Sequence, residues 1–233
     1  MRPLVIVPTY NERDNLPALL EQLLVIDGLR ILIVDDSSPD GTGRVADEYA
    51  AANRARVQVL HRTGKRGLGL SYIDGMYIAL RTDATHILQM DADLSHNPAE
   101  IPRLLAATEH AEFAIGSRYV PGGRIENWPP RRRMLSAFAN WYIRAITRLA
   151  IRDCTSGFRC WRREALEQLP LASIRSNGYA FIVELAWEAS KAGFHCGEVP
   201  ITFVERRKGA SKLTVRVIAE SAILPWRLVA RPK

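Results

Sequence analysis

Ala84-Thr85-His86-Ile87-Leu88-Gln89-Met90-Asp91-Ala92-Asp93-Leu94-Ser95-His96-Asn97-Pro98 reads as a buried strand that stops abruptly at two carboxylates. In a strand, side chains two residues apart share a face, so Asp91 and Asp93 are expected side by side. The C-terminal edge of a parallel sheet is where α/β proteins bind ligands. Paired carboxylates there suit a hard divalent cation, which takes oxygen donors and keeps substrate phosphates in its shell. The plain reading is a turn in which Asp93 caps a helix opening near Pro98. This stretch alone leaves both readings open.

Working outward, the first half of the chain alternates short apolar runs with amphipathic segments. Strands are expected at Leu4–Pro8, Arg30–Asp35, Val57–Leu60, His86–Met90 and Phe113–Gly116, with helices near 13–25, 42–52, 68–81 and 98–107. Such alternation implies βαβ units and a mostly parallel sheet flanked by helices, an α/β class. Beyond Gly116 the rhythm changes. A Gly-, Pro- and Arg-rich loop from Ser117 to Arg133 precedes a long helix, Met134 to Ile151. A strand at Ser156–Arg162, a helix at Tyr179–Ala192, a strand at Cys196–Phe203 and a helical tail from Leu213 that stops at Pro225 complete the pattern. One domain is expected over 1–233, a core with a C-terminal extension and no clean linker.

The 233 residues are 47% apolar, enough for a sizeable core. Met1-Arg2-Pro3 leads straight into an apolar strand, unlike a secretory leader, and no run of 18 apolar residues encodes a membrane span. Cys154, Cys160 and Cys196 have neither zinc nor redox spacing and read as reduced thiols of a cytosolic protein. The net charge of +7 gathers in separate clusters at 61–66, 131–133, 162–163 and 206–208. Scattered loop clusters favour several phosphate contacts around a cleft over a nucleic-acid track. A nucleic-acid module is also disfavoured by the acidic pairs at 35–36 and 91–93 and by the lack of any recognised signature.

Two more strand ends share the edge with Asp91. Pro8-Thr9-Tyr10-Asn11-Glu12 closes the first strand, and Asp35-Asp36-Ser37-Ser38-Pro39-Asp40-Gly41-Thr42 closes the second. Tyr10 can stack on a base and Asp36 can accept hydrogen bonds from a ribose. Asp40-Gly41-Thr42 reads as a plain turn and helix cap. Gly64-Lys65-Arg66 lacks the Ser or Thr and the upstream glycine of a P-loop, and no Gly-x-Gly-x-x-Gly follows the first strand. The sheet is expected to bind a nucleotide without a glycine cradle.

These motifs, with Gly64-Lys65-Arg66-Gly67-Leu68-Gly69, Gly116-Ser117-Arg118-Tyr119, Ser156-Gly157-Phe158-Arg159, Gly178-Tyr179-Ala180-Phe181 and Arg206-Arg207-Lys208-Gly209-Ala210-Ser211-Lys212, resemble family 2 glycosyltransferases. The likeness is to the branch of dolichyl- or polyprenyl-phosphate mannose synthases and covers nearly the whole chain. It implies a Rossmann-like GT-A fold with a C-terminal amphipathic helical extension, its donor-binding half at about 1–118 and its acceptor and membrane-facing half at about 119–233. It also implies inverting transfer of mannose from GDP-mannose to a polyprenyl monophosphate, with Mg²⁺ or Mn²⁺ as cofactor. By the same resemblance Pro8, Tyr10, Glu12, Val34 and Asp36 surround the guanosine. Asp91, Ala92 and Asp93 hold the nucleotide sugar and metal, with Asp91 and Asp93 as ligands. Arg118, Arg206 and Lys212 reach donor or acceptor phosphates, and Arg132 and Ser136 meet the lipid phosphate. Close relatives can carry Gln at the position of Ser95, so a third protein ligand is left open. A UDP-glucose or other UDP-sugar donor is the alternative within the same fold.

A phosphate monoester has a second pKa near 6 and is largely dianionic at neutral pH, so this acceptor needs no general base. The Gln-x-x-Arg-Trp signature of processive members, whose sugar acceptors need one, is absent. Along the helix after Arg133, Ser136, Asn140, Arg144 and Arg148 recur every four residues, while Leu135, Phe138, Trp141, Tyr142, Ile146 and Leu149 cover most of the rest. Such a helix can lie in a membrane interface. The tail, with Ile218, Ile223, Leu224, Trp226 and Leu228, offers a second contact. The protein is therefore expected at the cytoplasmic face of a membrane, alone or with a separate membrane-anchoring subunit.

Overall fold

A computed structural model describes residues 1–64, 67–174, 176, 178–205 and 215–230. Among them, seven strands form one sheet in the order β3-β2-β1-β4-β7-β5-β8. These are β1 (Pro3–Thr9), β2 (Arg30–Asp35), β3 (Val57–His61), β4 (His86–Gln89), β5 (Phe113–Ser117), β7 (Arg159–Arg162) and β8 (Cys196–Pro200). All pairs are parallel except those of β7, which runs antiparallel to both β4 and β5. Two short strands, β6 (Arg124–Glu126) and β9 (Thr202–Val204), pair separately.

The sheet is buried on both faces, and β1 shows how. Leu4 and Ile6 enter one core cluster with α3 (Leu68–Leu80) and α7 (Tyr179–Lys191), while Val5 and Val7 enter the other with α1 (Leu16–Leu24) and α4 (Ile101–Ala107). That is why the strand reads as a continuous apolar run rather than an alternating one. Gly75 lets α3 lie against β1: a Cβ there would stand 2.6 Å from the Ile6 side chain. The remaining helices are α2 (Thr42–Ala52), α5 (Pro130–Thr147), α6 (Arg163–Gln168) and α8 (Val215–Val229).

Four expectations are corrected. The strand foreseen at 196–203 divides: β8 ends at Pro200 and the chain crosses to β9, leaving β5 for β6. The loop foreseen over 117–133 holds β6. The long helix begins earlier, with Pro130 at its first turn where a missing N–H costs nothing. It ends earlier too, at Arg148 in the left-handed region with φ 59°. The last helix continues through Pro225. A proline inside a helix removes one backbone donor. Burial of Leu224 and Leu228 and two hydrogen bonds that Tyr142 makes to Ala222 and Trp226 favour the helix nonetheless.

One buried side chain holds the C-terminal half onto the sheet. Arg159, fully buried at the start of β7, donates to the carbonyls of Ser156, Ile182 and Cys154 at 2.9, 2.8 and 3.0 Å. Removing it takes a charged donor away from three carbonyls in the buried interior. Arg159→Met is expected to destabilise the protein by about 3 kcal/mol or more, read as a lower urea midpoint. An unchanged midpoint would contradict this role.

Candidate active site

The parallel strands bring their C-terminal ends to one edge, and the antiparallel β7 brings its N-terminal loop to the same edge. In sheet order the edge therefore presents Asp36 after β2, Tyr10 after β1, Asp91 after β4, Ser156 and Gly157 before β7, and Arg118 after β5. A cleft of about 410 Å³ opens there. Asp91, Asp93, Arg118, Arg132 and Ser136 line it together, and it continues as an apolar limb between α5, α7 and α8, walled by Leu135, Phe138, Ile143, Val183 and Leu224 among others.

Asp91 and Asp93 do converge, by a different route from the one expected. The strand ends at Gln89, so both lie in the following turn, where Leu94 adopts φ 60°. A branched side chain there is unusual and strained. Asp93 Oδ1 accepts from the backbone N–H and hydroxyl of Ser95 at 3.1 and 2.5 Å, which sets the turn. The following helix is capped by Asn97 instead, through the Ala99 N–H at 3.0 Å. Asp91 Oδ1 accepts from the Tyr72 hydroxyl at 3.1 Å, and its Oδ2 stands 3.8 Å from His96 Nε2. His96 is buried against Phe158 and Phe203. Burial lowers its pKa to about 4 against the pull of Asp93, so the ring is neutral at pH 7.

Asp91 and Asp93 offer oxygen donors, and among the described residues no group of three or more His, Cys, Asp or Glu side chains is placed to hold a metal ion. That suits Mg²⁺ or Mn²⁺ completed by water and substrate phosphate, not a fully caged metal. Gly157 supplies the space: a Cβ there would sit 3.3 Å from Asp91 Oδ2. The residues present therefore fit the cation.

On the β1 and β2 side of the edge, Tyr10 and Glu12 stand half-covered, while Pro8, Val34 and Ala92 are buried, Val34 with its side chain in the core. Glu12 accepts from Asn15 Nδ2 at 2.8 Å. Asp36 was expected to present its oxygens to a ribose. The structure places them on a buried Arg62 at 2.6 Å and on the Gly67 N–H at 2.9 Å. Its neighbour Asp35 accepts from Thr9 and Ser38 at 3.1 and 2.6 Å. The two adjacent carboxylates are thereby compensated by separate partners. Asp40 binds the Thr42 N–H and hydroxyl at 3.0 and 2.6 Å, the turn and cap expected of it.

On the β5 side of the cleft, Arg118 is locked. Its Nε and one terminal nitrogen donate to Asp153 at 2.7 Å each, and that nitrogen also reaches Thr155 at 2.7 Å. The guanidinium lies 5.3–5.7 Å from the ring centres of Tyr119, Trp128 and Phe203. Arg132 stacks over Trp128 at 4.1 Å and pairs with Glu205. Arg206 and Lys212 lie outside the described residues. Sequence reasoning missed Asp153, Tyr72 and Trp128. Asp153 stands 35 positions from Arg118 with no local pattern to link them, and Tyr72 reads as one more core aromatic on an apolar helix face.

The chain matches Glycosyl transferase family 2 over residues 4–170 and belongs to that family. The polyprenol monophosphomannose synthase of Mycolicibacterium smegmatis is 50% identical over 99% of this chain and 88% of its own length. The undecaprenyl-phosphate mannosyltransferase of Micrococcus luteus is 44% identical over 99% of this chain and 96% of its own. Among solved structures, a mannosyltransferase from Pyrobaculum calidifontis in complex with GDP-Man and Mn²⁺ superposes with TM-score 0.67 at 18% identity, covering all of this chain and 65% of that one. Glucosyl-3-phosphoglycerate synthase from Mycobacterium tuberculosis gives 0.66 at 16%, covering 99% and 81%. The fold is that of the GT-A glycosyltransferases.

Burial by itself would raise the Asp153 pKa, but the charge and hydrogen bonds of Arg118 hold it below the ordinary carboxylate value. A depressed folded-state value means that the pair contributes stability above the unfolded value near 4 and loses it as pH falls through the lower folded one. Asp153→Ala leaves a buried cation unpaired and is expected to cost about 3 kcal/mol at pH 7. The gap to wild type should narrow at pH 3, as compared by urea midpoints. A gap that widens in acid would contradict this account.

Proposed function

We propose that this glycosyltransferase moves mannose from GDP-mannose to a polyprenyl monophosphate, with inversion, giving a polyprenyl β-mannosyl phosphate. The carrying observation is the single cleft that joins the Asp91–Asp93 carboxylates to Arg118, Arg132 and Ser136 and continues as an apolar limb. A diphosphate, a second phosphate and a hydrocarbon chain each find matching chemistry along it. The relatives' names support the same donor sugar and acceptor class.

In this reading Pro8, Tyr10, Glu12, Val34 and Asp36 border the guanosine, and Asp91, Ala92 and Asp93 hold the nucleotide sugar. Arg206 and Lys212 are assigned to the phosphates. Asp91 and Asp93 would hold Mg²⁺ or Mn²⁺, which supplies charge neutralisation as the diphosphate departs. Arg118 and Arg132 orient the acceptor phosphate by charge-assisted hydrogen bonds, with Ser136 beside them. An oxygen of that phosphate attacks the anomeric carbon as the bond to GDP breaks. The acceptor is already a dianion, so no side chain has to remove a proton. Both halves, to about residue 118 and beyond it, act as one catalytic domain.

The lipid must come from a bilayer, although no helix among the described residues is long and apolar enough to cross one. Met134, Leu135, Phe138 and Trp141 of α5 and Ile223, Trp226 and Val229 of α8 are exposed, Trp141 by 62% and Trp226 by 60%. Tyr142 links the two helices. The stripe expected to carry the polar face is partly reversed: Asn140 is buried and donates to Thr155, and Leu149 belongs to the core. The exposed aromatic face rests in the interface in this proposal, next to the apolar limb. The same face is where a separate membrane-anchoring subunit would dock.

Label from GDP-mannose should enter the organic phase when the protein is incubated with detergent-dispersed polyprenyl phosphate and Mg²⁺ or Mn²⁺, and EDTA should prevent it. Label from UDP-glucose alone would overturn the donor. Arg132→Ala should raise KM for the lipid phosphate about tenfold or more, the weight of a charge-assisted hydrogen bond, with KM for GDP-mannose unchanged. Equal KM values for the lipid in variant and wild type would remove Arg132 from the acceptor site. Replacing Phe138 and Trp141 together by Ser should weaken co-sedimentation with phospholipid vesicles by about tenfold or more at unchanged Tm. Undiminished binding would place the membrane contact elsewhere.

A further inference from the structure

We infer that Tyr72, a residue of the buried face of α3, is a positioning residue that aims the Asp91 carboxylate into the cleft. The inference rests on the reading of Asp91 and Asp93 as the cation's carboxylates.

Tyr72 is fully buried and its ring stacks on Phe181 of α7 with centroids 5.9 Å apart and planes 7° from parallel. The stack fixes where the phenol oxygen can be. That oxygen lies 3.1 Å from Asp91 Oδ1. A phenol keeps its proton at neutral pH, so the hydroxyl donates and the carboxylate accepts. One oxygen of Asp91 is thus oriented from below. The other stands nearer His96 Nε2 and the space kept open by Gly157.

The turn that carries Asp91 needs such support. Leu94 sits at φ 60°, and Asp93 is oriented within the turn by Ser95, whereas Asp91 receives a hydroxyl donor from another element altogether. That element also touches the nucleotide side. Ser71, next to Tyr72, accepts from Arg62 at 2.6 Å, and Arg62 holds Asp36. The first turns of α3 therefore brace both ends of the donor site, with Ser71 toward Asp36 and Tyr72 toward Asp91. A hydrogen bond to a metal-binding carboxylate commonly governs affinity as strongly as some ligands do.

The test is Mn²⁺ binding to the full chain in the presence of GDP, followed by electron paramagnetic resonance of the free ion, with Tm recorded for each variant. Tyr72→Phe keeps the ring and its stack and deletes only the hydroxyl. Its Mn²⁺ dissociation constant should rise about tenfold, and kcat/KM for transfer should fall in step. Asp91→Asn should weaken Mn²⁺ at least as much, because Tyr72 acts through Asp91. A lowered Tm with wild-type Mn²⁺ affinity would mean that the hydroxyl serves packing alone, and it would overturn the inference. So would a loss in Tyr72→Phe larger than that in Asp91→Asn. Asp93→Ala separates the two levels of the argument. If it abolishes Mn²⁺ binding while Tyr72→Phe binds normally, only the positioning role fails. If Asp93→Ala binds Mn²⁺ as wild type does, the carboxylate reading itself fails.

Discussion

Charges concentrated at one edge of a sheet must each find a partner, and that constraint organises this protein. Asp35, Asp36, Asp91, Asp93 and Arg118 all arrive at or just beyond the C-terminal ends of parallel strands of one sheet. Burying an uncompensated charge is prohibitive. The structure compensates locally, with Arg62 on Asp36, Ser38 and Thr9 on Asp35, and Asp153 on Arg118. What remains presented to the cleft is a pair of carboxylates on one side and anchored guanidinium groups on the other. In the proposed function that polarity serves two phosphates of opposite roles, a departing diphosphate near a cation on the carboxylates and an attacking monoester on the arginines.

The C-terminal half exists to complete that edge. Reversing β7 brings the loop 153–157 to the same side as the parallel strand ends, and Arg159 ties that loop to α7 through three carbonyls. The loop delivers Asp153 to Arg118 and Gly157 to the side of Asp91. It also receives α5, because Asn140 accepts from the Cys154 N–H at 2.8 Å and donates to Thr155. The exposed aromatic face of α5 is therefore mechanically close to the chemistry, with a few hydrogen bonds between them. In the proposed function this lets a lipid phosphate reach the site while its chain stays in apolar surroundings.

The parallel framework was readable because fully buried strands separated by helices leave continuous apolar runs, as at Leu4–Val7 and Ile31–Val34. The antiparallel orientation of β7 was not, since strand direction leaves no trace in a four-residue pattern. Motif resemblance pointed to Asp91, Asp93, Arg118, Arg132 and Ser136, and all five line one cleft. It could not reveal which groups neutralise them. Asp153 and Tyr72 act across 35 and 19 positions of sequence, and a partner brought by folding has no local signature. The helix face of α5 was read only in part, because Asn140 and Leu149 look like periodic polar and apolar residues until the contacts of the loop at 153–155 are known.

The central claim is that one cleft receives both the metal-bound nucleotide and the acceptor phosphate. It is tested most directly by ³¹P nuclear magnetic resonance of a short, water-soluble prenyl monophosphate bound to the protein with GDP and Mn²⁺. The account predicts strong paramagnetic broadening of the monoester resonance when Mn²⁺ replaces Mg²⁺, and its loss in Asp93→Ala. A prenyl phosphate that binds but keeps a sharp resonance beside bound Mn²⁺ would place the two phosphates in separate sites and contradict the account.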